Sequence, residues 1–182
     1  IPESSVLVAS TGVIGMQLPI DRIAKGVGLL AESKASTEEA GLEAAKAIRT
    51  TDTKPKYAEV RIRIGDKEVK FGGMCKGSGM IHPNMCTMLS FVTTDAAITK
   101  ELLQKALSED VQDTYNMISV DGDTSTNDTV LLLANGMAEN PVIDREDENY
   151  QAFKEALHYV NTELAKKIAG DGEGATCLFE VK

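Results

Sequence analysis

The stretch YAEVRIRIG, Tyr57–Gly65, alternates without a break: Ala58, Val60, Ile62 and Ile64 fall on one face, Glu59, Arg61 and Arg63 on the other. A period of two marks a strand with one buried and one wet face, the habit of antiparallel sheets rather than of parallel ones buried on both sides. The Gly65-Asp66 pair then reverses the chain into KEVKFGG, so a hairpin is predicted here. Any fold for this chain has to accommodate that hairpin.

The remaining pattern is read around it. SSVLVAS (Ser4–Ser10) predicts a short buried strand ending at Thr11-Gly12, and ATCLFEV near the C-terminus predicts a last strand. STEEAGLEAAKAI (Ser36–Ile48) predicts a helix opened by a capping box of Ser36 and Glu39. TMLSFVTT (Thr87–Thr94) is a continuous apolar strand, and YNMISVDGD reads as another short one. AAITKELLQKALSED places Ile98, Leu102, Leu103, Ala106 and Leu107 on one helical stripe. TSTNDTVLLLANG reads as a buried helix behind a second capping box, Ser125 with Asp128. In NYQAFKEALHYVNTELAKKIAG, Phe153, Leu157, Val160, Leu164 and Ile168 recur at helical spacing, and Lys166 and Lys167 suit a C-terminus closed at Gly170. Strands and helices mix without a regular βαβ rhythm. The expected class is therefore α+β, a mostly antiparallel sheet covered by helices, with residues 1–182 as a single region.

Composition narrows the partners. Of 182 residues, 42% are hydrophobic but only 4% aromatic, with no Trp, so Val, Ile, Leu, Met and Ala must build the core. The net charge of −9 and the absence of a Lys/Arg cluster argue against nucleic acid and against an anionic membrane surface. Cys75, Cys86 and Cys177 form no CxxC pair, which removes zinc ribbons and disulfide frameworks and points to a reducing compartment, the cytoplasm. No apolar run approaches the roughly 18 residues a membrane span needs, and no signal peptide is visible. Ile1 is not a translation start, so a longer precursor is expected.

Four stretches invite chemistry. GGMCKGSGM (Gly72–Met80) fails as a phosphate-cradling loop, because Lys76 precedes Gly77 and Ser78 stands where the lysine is required. It reads as close-approach backbone at a small-molecule site or as a plain connection. DGDTSTND (Asp121–Asp128) fails as a calcium loop: Thr126 and Leu132 occupy the positions that need Gly and Glu, so capping by short polar side chains explains it better. His158 belongs on a helix surface. His82 lies near Cys86, a spacing that does not by itself make a Cys–His pair.

The fourth stretch is HPNMCTMLSF, which puts Cys86 and Thr87 at the mouth of an apolar strand. Either is a nucleophile or an ordinary core residue. A threonine hydroxyl needs a base beside it, and the residue's own α-amino group, with a pKa of about 7.7–8.0, can serve. That demands cleavage of the Cys86–Thr87 bond, through attack of the hydroxyl on the preceding carbonyl.

KGSGMIHPNMCTMLSFVTTDA followed by VDGDTSTNDTVLLLANG resembles the ornithine acetyltransferase family, also called glutamate N-acetyltransferase. LVASTGVIG, TTDTKPK and GDGEGAT are similar to further blocks of that family, in the family's order. The resemblance implies a self-cleaving N-terminal-nucleophile acyltransferase with a helix/sheet/sheet/helix sandwich. It would move acetyl from N-acetylornithine to glutamate in arginine biosynthesis, without a cofactor, and some members also accept acetyl-CoA. Thr87 is then the nucleophile and Cys86–Thr87 the cleavage point, with Cys86 where the family usually has Ala.

By the same resemblance Thr11 and Gly12 match the oxyanion-hole pair, where donors meet the charge that builds on an amide oxygen under attack. Lys76 matches a lysine suited to a substrate carboxylate, Thr50 a substrate-binding threonine (Thr51 if the register slips), and Glu173 a glutamate suited to the ammonium of ornithine. The family pocket also draws an Asn and a Ser or Thr from the end of the precursor, which have no counterpart here, so the chain is expected to be a central fragment. Its expected partners are the two halves of its own cleaved precursor and further copies in a homo-oligomer. Two alternatives stay beside the transferase: an N-terminal-nucleophile hydrolase or aminopeptidase with water as acceptor, and a non-catalytic fragment.

Overall fold

The computed structural model describes residues 2–82 and 88–181, so Cys86 and Thr87 lie outside the described residues. Its centre is the predicted hairpin. Strand β1 (Lys56–Ile64) and strand β2 (Lys67–Lys76) pair antiparallel from Ile64↔Lys67 to Lys56↔Cys75. Gly65 takes the left-handed φ of 63° that a two-residue reversal requires of a residue without Cβ. Strand β3 (Leu89–Thr94) continues the sheet antiparallel to β2, and β4 (Thr129–Ala134) joins β3 in parallel. With the order β1-β2-β3-β4 and two of three pairings antiparallel, the expected α+β class with a mostly antiparallel sheet is observed. Among the described residues there is this one sheet, with its helices.

Four helices accompany it: α1 (Ile20–Ser33), α2 (Glu38–Ala47), α3 (Lys100–Asp110) and α4 (Glu148–Ala169). The face predicted to be apolar packs on α4. Val69, Phe71, Cys75 and Val92 from the sheet meet Phe153, Leu157, Val160, Leu164 and Ile168, the predicted stripe. Phe71 and Phe153 stack edge-on with centroids 5.0 Å apart, a geometry worth about 1 kcal/mol beyond its area. Gly73 is the point of closest approach, since a Cβ there would stand 2.9 Å from both Val160 Cγ1 and Leu164 Cδ1. α3, capped by Thr99, packs against α4 and β4. Between them runs a buried polar chain: Asn161 donates to Asp110 and accepts from the Tyr115 hydroxyl, which also meets Ser90 on β3.

Five expectations are corrected. Residues 4–10 form no strand: Val6, Leu7 and Val8 are exposed, because no neighbouring strand among the described residues offers them a hydrogen-bond ladder. Residues 175–181 likewise form no strand and are exposed. The stretch read as a strand at YNMISVDGD holds a 3-10 turn, Tyr115–Met117. The predicted buried helix after Ser125 is strand β4, a six-residue apolar run with no helical period that lies at the edge of the sheet beside β3. Asp128 therefore caps nothing and instead accepts the Met88 N–H at 2.8 Å. Finally, α2 is capped by Thr37, whose hydroxyl accepts from Ala40 N–H, and not by Ser36. No helix among the described residues is long and apolar enough to cross a membrane.

Helix α1 has no buried residue and, among the described residues, packs against no other helix or strand. Ile20, Ile23, Val27 and Leu30 form its apolar stripe, and all are exposed.

Candidate active site

Three segments that are far apart in sequence meet at the end of β2. The first is the loop Thr50–Lys54 between α2 and β1, the second Lys76–Gly79, and the third the turn Asp171–Gly174 after α4. Asp52 ties the first two. Its Oδ1 accepts from Gly77 N–H at 2.7 Å and its Oδ2 from Thr50 N–H at 3.2 Å. Thr51 and Ser78 share a hydroxyl–hydroxyl bond of 2.6 Å. Asp171 binds the first segment from the other side, with Oδ2 accepting from Thr53 N–H at 3.0 Å and Oδ1 from the Thr53 hydroxyl. The third and second segments then join directly, as Glu173 N–H donates to Ser78 O at 2.8 Å.

Lys56 fills the middle of this knot. Its ammonium donates to Asp52 Oδ1 and to Asp171 Oδ2, each at 2.6 Å, and its side chain is 2% exposed. Stripping a charge of water costs several kcal/mol, and here two carboxylates offset that cost. Burial works against the Asp52 charge, but the Gly77 N–H, Lys56 and the Thr50 N–H outweigh it and hold its carboxyl below the usual range. For Asp171 the same contest between burial and the bonds from Lys56 and Thr53 also ends below the usual value.

The residues expected to touch substrate sit on this frame. Lys76 is buried and donates to Thr50 Oγ1 at 3.2 Å, so the expected threonine and lysine are in contact. Burial pushes the Lys76 ammonium below its ordinary pKa, against the upward pull of Asp52 and Asp128. The Glu173 carboxylate lies on Gly79, in the same Gly-rich run. Gly72–Lys76 of that run belong to β2, and Gly79 is a point of close approach to Glu173. Leu89 stands opposite Lys76 in the sheet, so the polypeptide enters β3 at this same end of the sheet through Met88.

Asp128 holds that entry. Its Oδ1 takes the Met88 N–H, while its buried Oδ2 has no hydrogen-bond partner among the described residues. Burial pushes the carboxyl up to about 6, with the Met88 N–H and Lys76 resisting. A cleft of about 460 Å³, lined by Met88, Tyr115, Asp128 and Val130, opens beside it. Asp121 does a related job: it accepts from Met80 N–H at 2.5 Å and Ile81 N–H at 2.8 Å, next to the left-handed backbone of Met80.

Thr11 and Gly12 are not brought to this cluster. They lie in the segment ahead of α1, Thr11 half-buried and Gly12 exposed. A Cβ at Gly12 would meet only Leu18 within 4 Å among the described residues. The pairing of His82 with Cys86 falls partly outside the described residues; His82 Nδ1 lies 3.2 Å from Ser119 Oγ. His158 is exposed on α4, 2.7 Å from Asp110.

Sequence reasoning missed Asp52, Lys56, Asp128 and Asp171. For Lys56 a signal was present. It is in phase with Ala58, Val60, Ile62 and Ile64, a charge on the apolar face of a strand, which demands buried counter-charges.

The whole chain, residues 1–182, matches the model of the ArgJ family. Arginine biosynthesis bifunctional protein ArgJ 1 of Clostridium acetobutylicum is 55% identical over all of this chain and 44% of its own length. The protein called Arginine biosynthesis bifunctional protein ArgJ in Symbiobacterium thermophilum is 57% identical over 96% of this chain and 43% of its own. The crystal structure of the argJ protein from Bacillus halodurans is 54% identical, covering 50% of this chain and 42% of that one with a TM-score of 0.48. The chain spans less than half the length of the curated relatives it matches. Matched from end to end by that model, this chain belongs to the ArgJ family.

Proposed function

We propose that a protein carrying this chain at the full length of its relatives transfers an acetyl group from N-acetylornithine to glutamate, with Thr87 as the carrier. The observation that carries this reading is the Lys76–Thr50 bond at the end of β2, with Glu173 held against Ser78 and Gly79 of the adjoining loop. An amino-acid substrate presents a carboxylate and an ammonium. A buried lysine beside a hydroxyl suits the first, and a carboxylate held over a glycine suits the second. The relatives' name, arginine biosynthesis bifunctional protein, agrees with acetyl transfer in that pathway.

The first step is self-processing. The Thr87 hydroxyl attacks the Cys86 carbonyl, the peptide becomes an ester, and water opens the ester to leave a Cys86 carboxylate and a free Thr87 amine. In turnover that amine takes the hydroxyl proton as Thr87 Oγ attacks the acetyl carbonyl of N-acetylornithine. Thr11 and Gly12 supply donors to the oxyanion, a position the segment ahead of α1 would take in the full-length protein; one such donor is commonly worth about 3–4 kcal/mol of barrier. The tetrahedral adduct collapses, the proton passes to the departing amine, and ornithine leaves behind an acetyl ester on Thr87. The glutamate amine then attacks that ester, giving N-acetylglutamate and the free hydroxyl.

The test uses protein of the relatives' full length. Intact mass should show two pieces divided at Cys86–Thr87, and acetyl transfer should depend on glutamate. Thr87→Ala should abolish both. Undiminished transfer in that variant would reject the mechanism, and acetate release independent of glutamate would point to a hydrolase.

A further inference from the structure

Lys56 has no contact role in the chemistry above, yet the site is assembled on it. Its ammonium joins Asp52 and Asp171, at 2.6 Å each. Apart from the Thr53 hydroxyl on Asp171 Oδ1, the other bonds of those carboxylates go to the backbone of the substrate-facing loops, not to the core. Asp52 takes the N–H groups of Thr50 and Gly77, the latter directly after Lys76. Asp171, two residues before Glu173, takes Thr53 N–H and also Lys54 N–H at 3.4 Å. A buried ion pair serving stability alone is commonly replaceable by apolar packing. Here an apolar replacement would leave two carboxylates, previously on the same nitrogen, facing each other without a cation, and would release loops that carry Thr50, Lys76 and Glu173.

We propose that Lys56 is a positioning residue of the amino-acid pocket: through Asp52 and Asp171 it sets where Thr50, Lys76 and Glu173 stand relative to one another, and so sets substrate affinity. The inference rests on the pocket assignment made under the proposed function. Because Lys56 acts on binding geometry and not on the reacting atoms, its loss should raise KM far more than it lowers kcat.

The experiment compares Lys56→Met with the double variant Lys56→Met/Asp171→Asn in protein of the relatives' full length. The second change removes the repulsion between the carboxylates and keeps an acceptor for Thr53. The double variant should melt close to the parent and still split at Cys86–Thr87, while KM for N-acetylornithine and for glutamate rises about tenfold or more and kcat changes by less than threefold. Parental KM values in the folded double variant, or a fall in kcat at unchanged KM, would overturn the proposal. Calorimetric titration with glutamate and with ornithine separates this outcome from the fate of the proposed reaction. If the parent shows no acetyl transfer, the reaction is rejected, and a tenfold weaker Kd in the double variant still supports the role of Lys56. Equal Kd values would refute it.

Discussion

The carboxylate of Glu173 lies so close over Gly79 that a Cβ at position 79 would stand 2.8 Å from Glu173 Cδ. Position 79 does not need a left-handed backbone, so alanine is tolerated by the main chain and the flexible carboxylate gives way instead. Gly79→Ala is therefore expected to change the melting temperature little and to raise KM for the ornithine-bearing substrate roughly fivefold, equivalent to about 1 kcal/mol. Steady-state kinetics with thermal melts would check both halves, and an unmoved KM would remove Glu173 from the pocket.

Asp128 predicts a pH dependence of stability. Its carboxyl is raised in the folded protein to about 6 from an ordinary 3.8, chiefly by burial. Between those values the folded state binds the proton that the unfolded state has lost, so stability falls as pH rises through this window and stays lower above it. Asp128→Asn should erase that fall, leaving the variant more stable than the parent above pH 6 by roughly 1–3 kcal/mol, and little changed near pH 4. Denaturation midpoints across pH would show the two curves diverging; parallel curves would contradict the assignment.

Asn161 is wholly buried and is the hinge of the polar chain in the core, 2.6 Å from Asp110 and 3.1 Å from the Tyr115 hydroxyl. Asn161→Ala leaves both partners short of a bond and opens a small void. The expected loss is about 2–4 kcal/mol, seen in urea as a lower midpoint at unchanged slope. Tyr115→Phe should cost less, because it opens no void and Asn161 keeps Asp110, although Ser90 and Asn161 Oδ1 each lose a partner.

The cap of α2 gives a direct comparison of neighbours. Thr37→Ala removes the hydroxyl that accepts Ala40 N–H and should cost about 1 kcal/mol. Ser36→Ala should be close to neutral, contrary to what the S-x-x-E spacing suggests. Equal costs would restore the capping box.

What could be read in the chain was what local periodicity encodes. The hairpin of β1 and β2, the α4 stripe and the α3 stripe follow from side-chain spacing, because each element buries one face against a single layer. The errors fell where burial is decided by neighbours. TVLLLA has neither period, and only its position beside β3 makes it a strand. SSVLVAS is apolar enough for one but has no ladder to join. At the site, Thr50, Lys76 and Glu173 were picked out by resemblance, and the structure joins Thr50 to Lys76 and sets Glu173 on the adjoining Ser78–Gly79 loop, whereas the Asp52–Lys56–Asp171 knot that ties these segments was overlooked. Its members are ordinary charged residues until folding removes their water, and only Lys56, misplaced on an apolar face, announced that change.

The sheet joins its strands by two very different routes. β1 and β2 are chain neighbours across a two-residue reversal, while β4 reaches β3 in parallel only after α3 and the turn at Tyr115 have been laid down. Closing the first costs little loop entropy and takes microseconds; the second must wait for a long crossover to organise. Folding should therefore proceed outward from the turn at Gly65, with the Asp128–Met88 bond among the last to close. Pulsed amide exchange would register β1 and β2 as protected before β4. The entrance to β3, where acetyl transfer is proposed to occur, is then the final part of this molecule to take shape.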